Sequence, residues 1–133
     1  MNKVILVGNL GRDAEVKTTP QSGKSYATLS VATSESWRDK HTGEKRENTQ
    51  WHRVVCWGEG LSKFLGEHAK KGGKVLIEGT LQTREWDDKG ATRHTTEVVV
   101  QGAGGVVRLL GRPGSGGPAG PEDEPEGRYA GYD

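Results

Sequence analysis

The chain holds a single cysteine, Cys56, a single phenylalanine, Phe64, and a single methionine among its 133 residues. One cysteine excludes an intrachain disulfide and any zinc site built on paired cysteines. No apolar run approaches the about 20 residues of a membrane helix, and Val4 to Val7 is too short for the apolar region of a signal peptide. A cytoplasmic protein of a reducing compartment, with no membrane association, is the expectation. His41, His52, His68 and His94 are scattered without ligand spacing, so neither a metal site nor a cofactor is expected. Gly23-Lys24-Ser25 has the ending of a phosphate-binding loop, but Thr18 stands where that loop needs glycine, and a strand pattern follows instead of a helix. Asp87-Asp88, the one pair that suggests a nuclease, precedes Lys-Gly as turn-forming aspartates do. No nucleophile and base stand together, and the chain reads as a non-enzyme.

Apolar residues are also scarce, at 31% of the chain. The length suits one domain with a proper core and is too short for two of ordinary size. Charge is unevenly spread. From Gly111 onward two basic residues, Arg112 and Arg128, meet five acidic ones, Glu122, Asp123, Glu124, Glu126 and Asp133, a balance of −3. Removing that from the whole-chain +1 leaves +4 on residues 1–110. A basic body with an acidic tail points toward nucleic acid. The division expected is a domain over residues 1–110 and a flexible Gly/Pro-rich acidic tail over 111–133, too poor in apolar side chains to offset the entropy of ordering.

What the chain does have is tryptophan in basic company. Ser34 to Gly58 contains Trp37, Trp51 and Trp57, three of the four, with Arg38, Lys40, Lys45, Arg46 and Arg53 among them and Lys63 just beyond. Every nucleobase has an apolar π-face, so an exposed indole stacks on any base while Lys and Arg neutralise the backbone. Tryptophan is more often a core residue. Here Trp51 and Arg53 stand two apart, on one face of a strand, and a core face would not carry that arginine.

Read in order, Asn2–Leu10 is a continuous apolar run expected to be a buried strand, and residues 14–18 a weaker strand or its continuation past a bulge. Residues 25–36 alternate, with Ala27, Leu29, Val31 and Thr33 toward the core. Trp37 shares that parity, so the strand is expected to leave the sheet or bulge before it. Residues 39–48 read as a mobile hairpin tip. Residues 49–57 form the next strand, with Trp51, Arg53, Val55 and Trp57 on one face and His52, Val54 and Cys56 on the other. Leu61, Phe64, Leu65, His68 and Ala69 have helical spacing, and Gly72 supplies a stop. Residues 74–86 alternate again, with Val75, Ile77, Gly79 and Leu81 inward and Gln82, Arg84 and Trp86 outward. A turn at residues 87–90 leads to a strand over 92–101, and a glycine joint leads to a short apolar segment over 106–110. Three strands, one helix and two strands is the order of the mainly β, five-stranded Greek-key barrel that binds oligonucleotides and oligosaccharides, with the helix between strands 3 and 4. A small α+β roll fits the same string.

NKVILVGNLGRDAEV at the start, SESWRDKHTGE and WHRVVCWGE in the middle, KVLIEGTLQTREW after the helix and TTEVVV before the glycines resemble the bacterial single-stranded DNA-binding proteins of replication and repair. The resemblance runs in order along residues 2–110. It implies an oligonucleotide-binding (OB) barrel, a homotetramer, and non-sequence-specific binding of single-stranded DNA in replication, recombination and repair, in the cytoplasm with the nucleoid. The base-stacking aromatics of the family fall on Trp37, Trp51, Trp57 and Trp86, the third commonly phenylalanine, and its subunit-contact histidine on His52. Candidate phosphate contacts are Lys3, Arg38, Arg53, Lys70, Lys71 and Arg84. The tail ends Arg-Tyr-Ala-Gly-Tyr-Asp without the apolar tip by which the family docks replication and repair proteins. The alternative is an RNA-binding barrel of the cold-shock or translation-factor type, which uses the same stacking chemistry.

Overall fold

Period-two alternation of apolar side chains underlies the long strands, and one stretch of helical spacing gives the helix. In a computed structural model that describes residues 1–111, the elements run β1 (Val4–Leu10), β2 (Glu15–Thr18), β3 (Ser25–Arg38), β4 (Lys45–Trp57), α1 (Glu59–His68), β5 (Lys74–Asp88), β6 (Ala91–Val100) and β7 (Val106–Gly111). The expectations for the tail fall on residues 112–133 and lie outside the described residues.

β1 pairs with β3, β3 with β4, β4 with β6, β6 with β5, and β5 returns to β1, so these five strands close on themselves. Only the β4–β6 ladder is parallel. β2 joins β3 and β7 joins β5, each outside the closed circuit. The five-stranded barrel is therefore as expected, with the helix between its third and fourth strands in chain order. Closure needs a close approach at Gly8, where β1 passes from β5 to β3. A Cβ there would collide with the Ala32 carbonyl oxygen.

The interior is filled by Leu10, Ala27, Leu29, Val31, Val54, Cys56, Val75, Ile77, Val98 and Val100, with Leu65 of α1 and Ala69 at its C-cap in the same cluster. Truncating a side chain as enclosed as Leu65 or Ile77 to alanine costs about 2–5 kcal/mol.

Several expectations are corrected. β1 is not buried throughout: Ile5 is 60% and Val7 47% exposed, because they share the outward parity of the barrel wall. In α1 the inward positions are Ser62 and Leu65, with Leu61 packed partly against the core and Ala69 buried at the C-cap, not Phe64 and His68. Ser62 tolerates burial because its hydroxyl donates to the Gly58 carbonyl at 2.6 Å. Phe64 is left 45% exposed with His68 against its ring. Leu81 has the inward parity of β5 yet is 50% exposed: it pairs with Val98 at the rim of the core, beyond which β5 is exposed from Gln82 to Asp87.

The stretch between Trp37 and Trp51 differs most. No bulge precedes Trp37: β3 and β4 pair without interruption from Tyr26↔Trp57 to Arg38↔Lys45. The strands outlast the barrel, so a residue of inward parity simply runs out of core to face. The loop is reduced to residues 39–44 and is closed by its own hydrogen bonds. Asp39 accepts from the His41 amide at 2.8 Å, Gly43 at φ 75° returns its amide to the Asp39 carbonyl at 2.8 Å, and Arg46 pairs with Asp39 and Glu44.

Candidate nucleic-acid interface

Along β4 the outward parity carries Trp51, Arg53, Val55 and Trp57. Trp51 is 61% exposed, an unfavourable place for an indole unless something is to cover it. Its ring lies against Gly11, where a Cβ would stand 2.5 Å from Trp51 Cζ3 and 2.9 Å from Cη2. Gly11 therefore supplies a flat bed, and an open cleft lined by Gly11, Arg12, Ser30 and Trp51 adjoins the ring.

Two residues further on, Arg53 meets the neighbouring wall. Glu97 of β6, only 6% exposed, accepts from Arg53 Nε at 2.5 Å and from Arg84 Nε of β5 at 3.2 Å. Arg84 Nη2 reaches the other carboxylate oxygen of Glu97 at 3.4 Å. Burial alone pushes this carboxyl up, but the hydrogen bonds from Arg84 and Arg53 and their charges outweigh it and hold Glu97 below its ordinary value. One carboxylate thus fixes two guanidiniums from strands 44 and 13 positions away, and the cluster keeps a net positive charge. Trp86, 41% exposed, closes the row, its indole N–H donating to Thr95 Oγ1 at 2.8 Å. Arg53, Arg84, Trp86 and Thr95 line a second open cleft. An exposed ring at each end with cations held between them is an arrangement for stacking bases and neutralising phosphates.

Of the expected site residues, the fold brings Trp51, Arg53, Arg84 and Trp86 onto one surface. Trp57, half-buried, continues the β4 row and packs on Tyr26 at 4.8 Å between ring centroids. Trp37, 50% exposed, and Arg38 stand on the projecting β3–β4 arm, and the register puts Trp37 on the opposite face of that ribbon from Trp51. Arg38 Nη1 donates to the Gly43 carbonyl at 2.7 Å. Lys3 pairs with Glu78 at 3.0 Å, and Lys70 Nζ caps the Gly66 carbonyl at 3.1 Å. The Lys71 amide donates to Asp13 Oδ1 at 2.8 Å. His52 has inward parity, is half-buried, and lies 2.8 Å from Thr33 Oγ1 through Nε2. Glu97, Thr95, Gly11 and Tyr26 were not singled out from sequence. In TTEVVV the threonine and glutamate precede a run of three buried valines, and their partners are named only by the register.

Among the described residues no group of three or more His, Cys, Asp or Glu stands close enough to hold a metal ion, and no helix is long and apolar enough to cross a membrane. Cys56 is fully buried, which pushes its thiol up to about 12 and makes it unreactive.

The model of the single-strand binding protein family matches residues 1–107. A single-stranded DNA-binding protein of Rhizobium meliloti (strain 1021) is 50% identical over 137 aligned positions, which take in 100% of this chain and 78% of that protein. Among solved structures, the Plasmodium falciparum SSB in complex with ssDNA superposes with a TM-score of 0.73 at 32% identity, over 83% of this chain and 95% of that one. A deletion variant of the single-stranded DNA binding protein from Thermus aquaticus does so with a TM-score of 0.68 at 27% identity, over 87% of this chain and 52% of that one. The closed barrel, the row of indoles and guanidiniums on its wall, and a match over nearly all of the described chain agree: the chain belongs to the single-strand binding protein family.

Proposed function

We propose that the protein coats single-stranded DNA with little sequence preference, in replication, recombination and repair, as a binding protein and not an enzyme. The observation that carries this is the outer wall of the barrel, where exposed Trp51 and Trp86 flank Arg53 and Arg84 held on Glu97. Stacking contributes about 1–3 kcal/mol per base and is indifferent to base identity, and each phosphate neutralised releases counterions. Trp57, Trp37, Arg38, Lys3, Lys70 and Lys71 are read as further contacts along the strand's path. A cytoplasmic, nucleoid-associated location accompanies this reading.

The body charge of +4 is modest for holding a polyanion, and joining several surfaces would add avidity. Homotetramer assembly is part of the proposal. It is supported by β1, whose second edge has no strand partner over Val4–Gly8 among the described residues, while Ile5 and Val7 stand exposed beside it. An open apolar edge of this kind is what a second copy covers. Docking of replication and repair proteins through the acidic tail concerns residues outside the described structure.

Titration of tryptophan emission with a dT oligomer tests the reading. Saturation is expected to quench most of the signal, and Trp51→Ala to weaken binding by about 1–3 kcal/mol with the fold retained. An unchanged spectrum at saturating strand, or preference for the ribo homopolymer in competition, would refute it.

A further inference from the structure

β2 lies outside the closed circuit of the barrel, pairs only with β3, and packs Val16 against Gly66 of α1. Its register sets Lys17 opposite Tyr26, and the next ladder sets Tyr26 opposite Trp57. Directly opposed residues of neighbouring antiparallel strands share a face. Three adjacent strands thus present a cation, a phenol ring and an indole side by side. The face is the one that carries Trp51 and Arg53, because Trp57 has their parity on β4.

The local geometry is that of a prepared surface. The Tyr26 and Trp57 rings stand 4.8 Å apart at 38°, within the range aromatic pairs adopt, and both are only half-buried. The next pair on the same face of that ladder, Thr28 and Val55, is 7% and 5% exposed, so the two rings stand beside a closely packed stretch of wall. Lys17 is exposed, and its ammonium lies 3.9 Å from Glu15, a separation and exposure at which the pair contributes little and leaves the charge available. A lone half-buried indole would have to be ordered on binding. Contact with Tyr26 restricts it beforehand and enlarges the π surface a base can meet.

We propose that Lys17, Tyr26 and Trp57 form one nucleotide subsite that extends the binding track off the barrel and onto β2. A base stacks on the Tyr26–Trp57 pair, and Lys17 neutralises an adjoining phosphate. The inference rests on the single-stranded DNA reading above and adds Tyr26 and Lys17 to it.

The test uses the full chain with Trp37, Trp51 and Trp86 changed to Phe, so that Trp57 is the sole tryptophan emitter while stacking rings remain elsewhere. Titrated with a dT oligomer, Tyr26→Leu is expected to reduce Trp57 quenching and weaken binding about three- to tenfold, and Tyr26→Phe to leave both as they were. In a Trp57→Ala background with the other tryptophans restored, Tyr26→Leu is expected to have almost no further effect, since the pair acts together. Lys17→Ala is expected to flatten the dependence of log K on log salt by about 0.7, the signature of one lost phosphate contact. Unaltered affinity and Trp57 quenching in Tyr26→Leu, with the parent chain still binding the oligomer, would overturn the subsite and leave the DNA-binding reading standing. An equal loss from Tyr26→Leu with Trp57 absent would assign it to the fold and overturn the subsite as well. No binding by the unmodified protein would overturn both.

Discussion

Replacing Glu97 by glutamine removes one negative charge from the centre of the wall and leaves the shape unchanged. In the wild type the buried Glu97 carboxylate accepts three hydrogen bonds from two guanidiniums. Charge-assisted bonds contribute about 1.5–3 kcal/mol each when well enclosed, and breaking a buried ion pair costs about 3–5 kcal/mol when the abandoned charge is itself buried. Arg53 and Arg84 are 42% and 54% exposed, so each can turn to water once released. Solvent therefore screens most of that energy, and glutamine keeps one acceptor, which brings the expected loss down to about 1–2 kcal/mol. For a domain of this size that is a fall in Tm of about 4–10 °C at pH 7.

The pH dependence of that loss has a definite sign. Glu97 is held below its ordinary value, so its contribution is fully present above the unfolded glutamate value of about 4.3 and disappears as pH falls through the lowered folded value. Thermal unfolding of the two proteins followed by circular dichroism from pH 7 downward is therefore expected to show curves that separate at neutrality and converge in acid. Equal Tm at pH 7, or a gap that persists unchanged through the acid range, would refute the assignment of Glu97 as the carboxylate that fixes the two arginines.

Gly11→Ala is expected to leave the barrel folded while displacing the Trp51 ring, since the added methyl meets that indole and not backbone. Trp51 emission in the free protein should shift and DNA affinity should fall, with the affinity effect lost in a Trp51→Ala background; an unmoved spectrum would count against the flat-bed geometry. His52→Tyr is expected to shift sedimentation toward smaller species at low concentration, because a larger ring cannot occupy the half-buried position beside Thr33 without disturbing what covers it. Unchanged assembly would remove His52 from the subunit contact.

How far the strands could be read from sequence depended on distance along the chain. Ala27, Leu29 and Val31 on β3, Val54 and Cys56 on β4, and Val75 and Ile77 on β5 all face inward as their alternation requires. Parity is set by the local backbone, and two residues suffice to express it. The outward row of Trp51, Arg53 and Trp57 was legible for the same reason. Where the interior stops is not local. Trp37 and Leu81 carry inward parity on strands that outrun the barrel, and Phe64 yields its place in the core to Ser62, whose hydroxyl finds the Gly58 carbonyl.

Composition and alternation determined that this chain is a β-rich domain presenting indoles beside cations, because stacking and charge are properties of residue types. Tertiary structure alone decided which of those residues meet. Glu97 lies 44 positions from Arg53 and 13 from Arg84, Gly11 lies under a ring from β4, and Lys17 and Tyr26 reach Trp57 across three strands. Such neighbours are set by barrel closure and ladder register, which depend on every strand at once and leave no periodic mark on any single stretch of sequence.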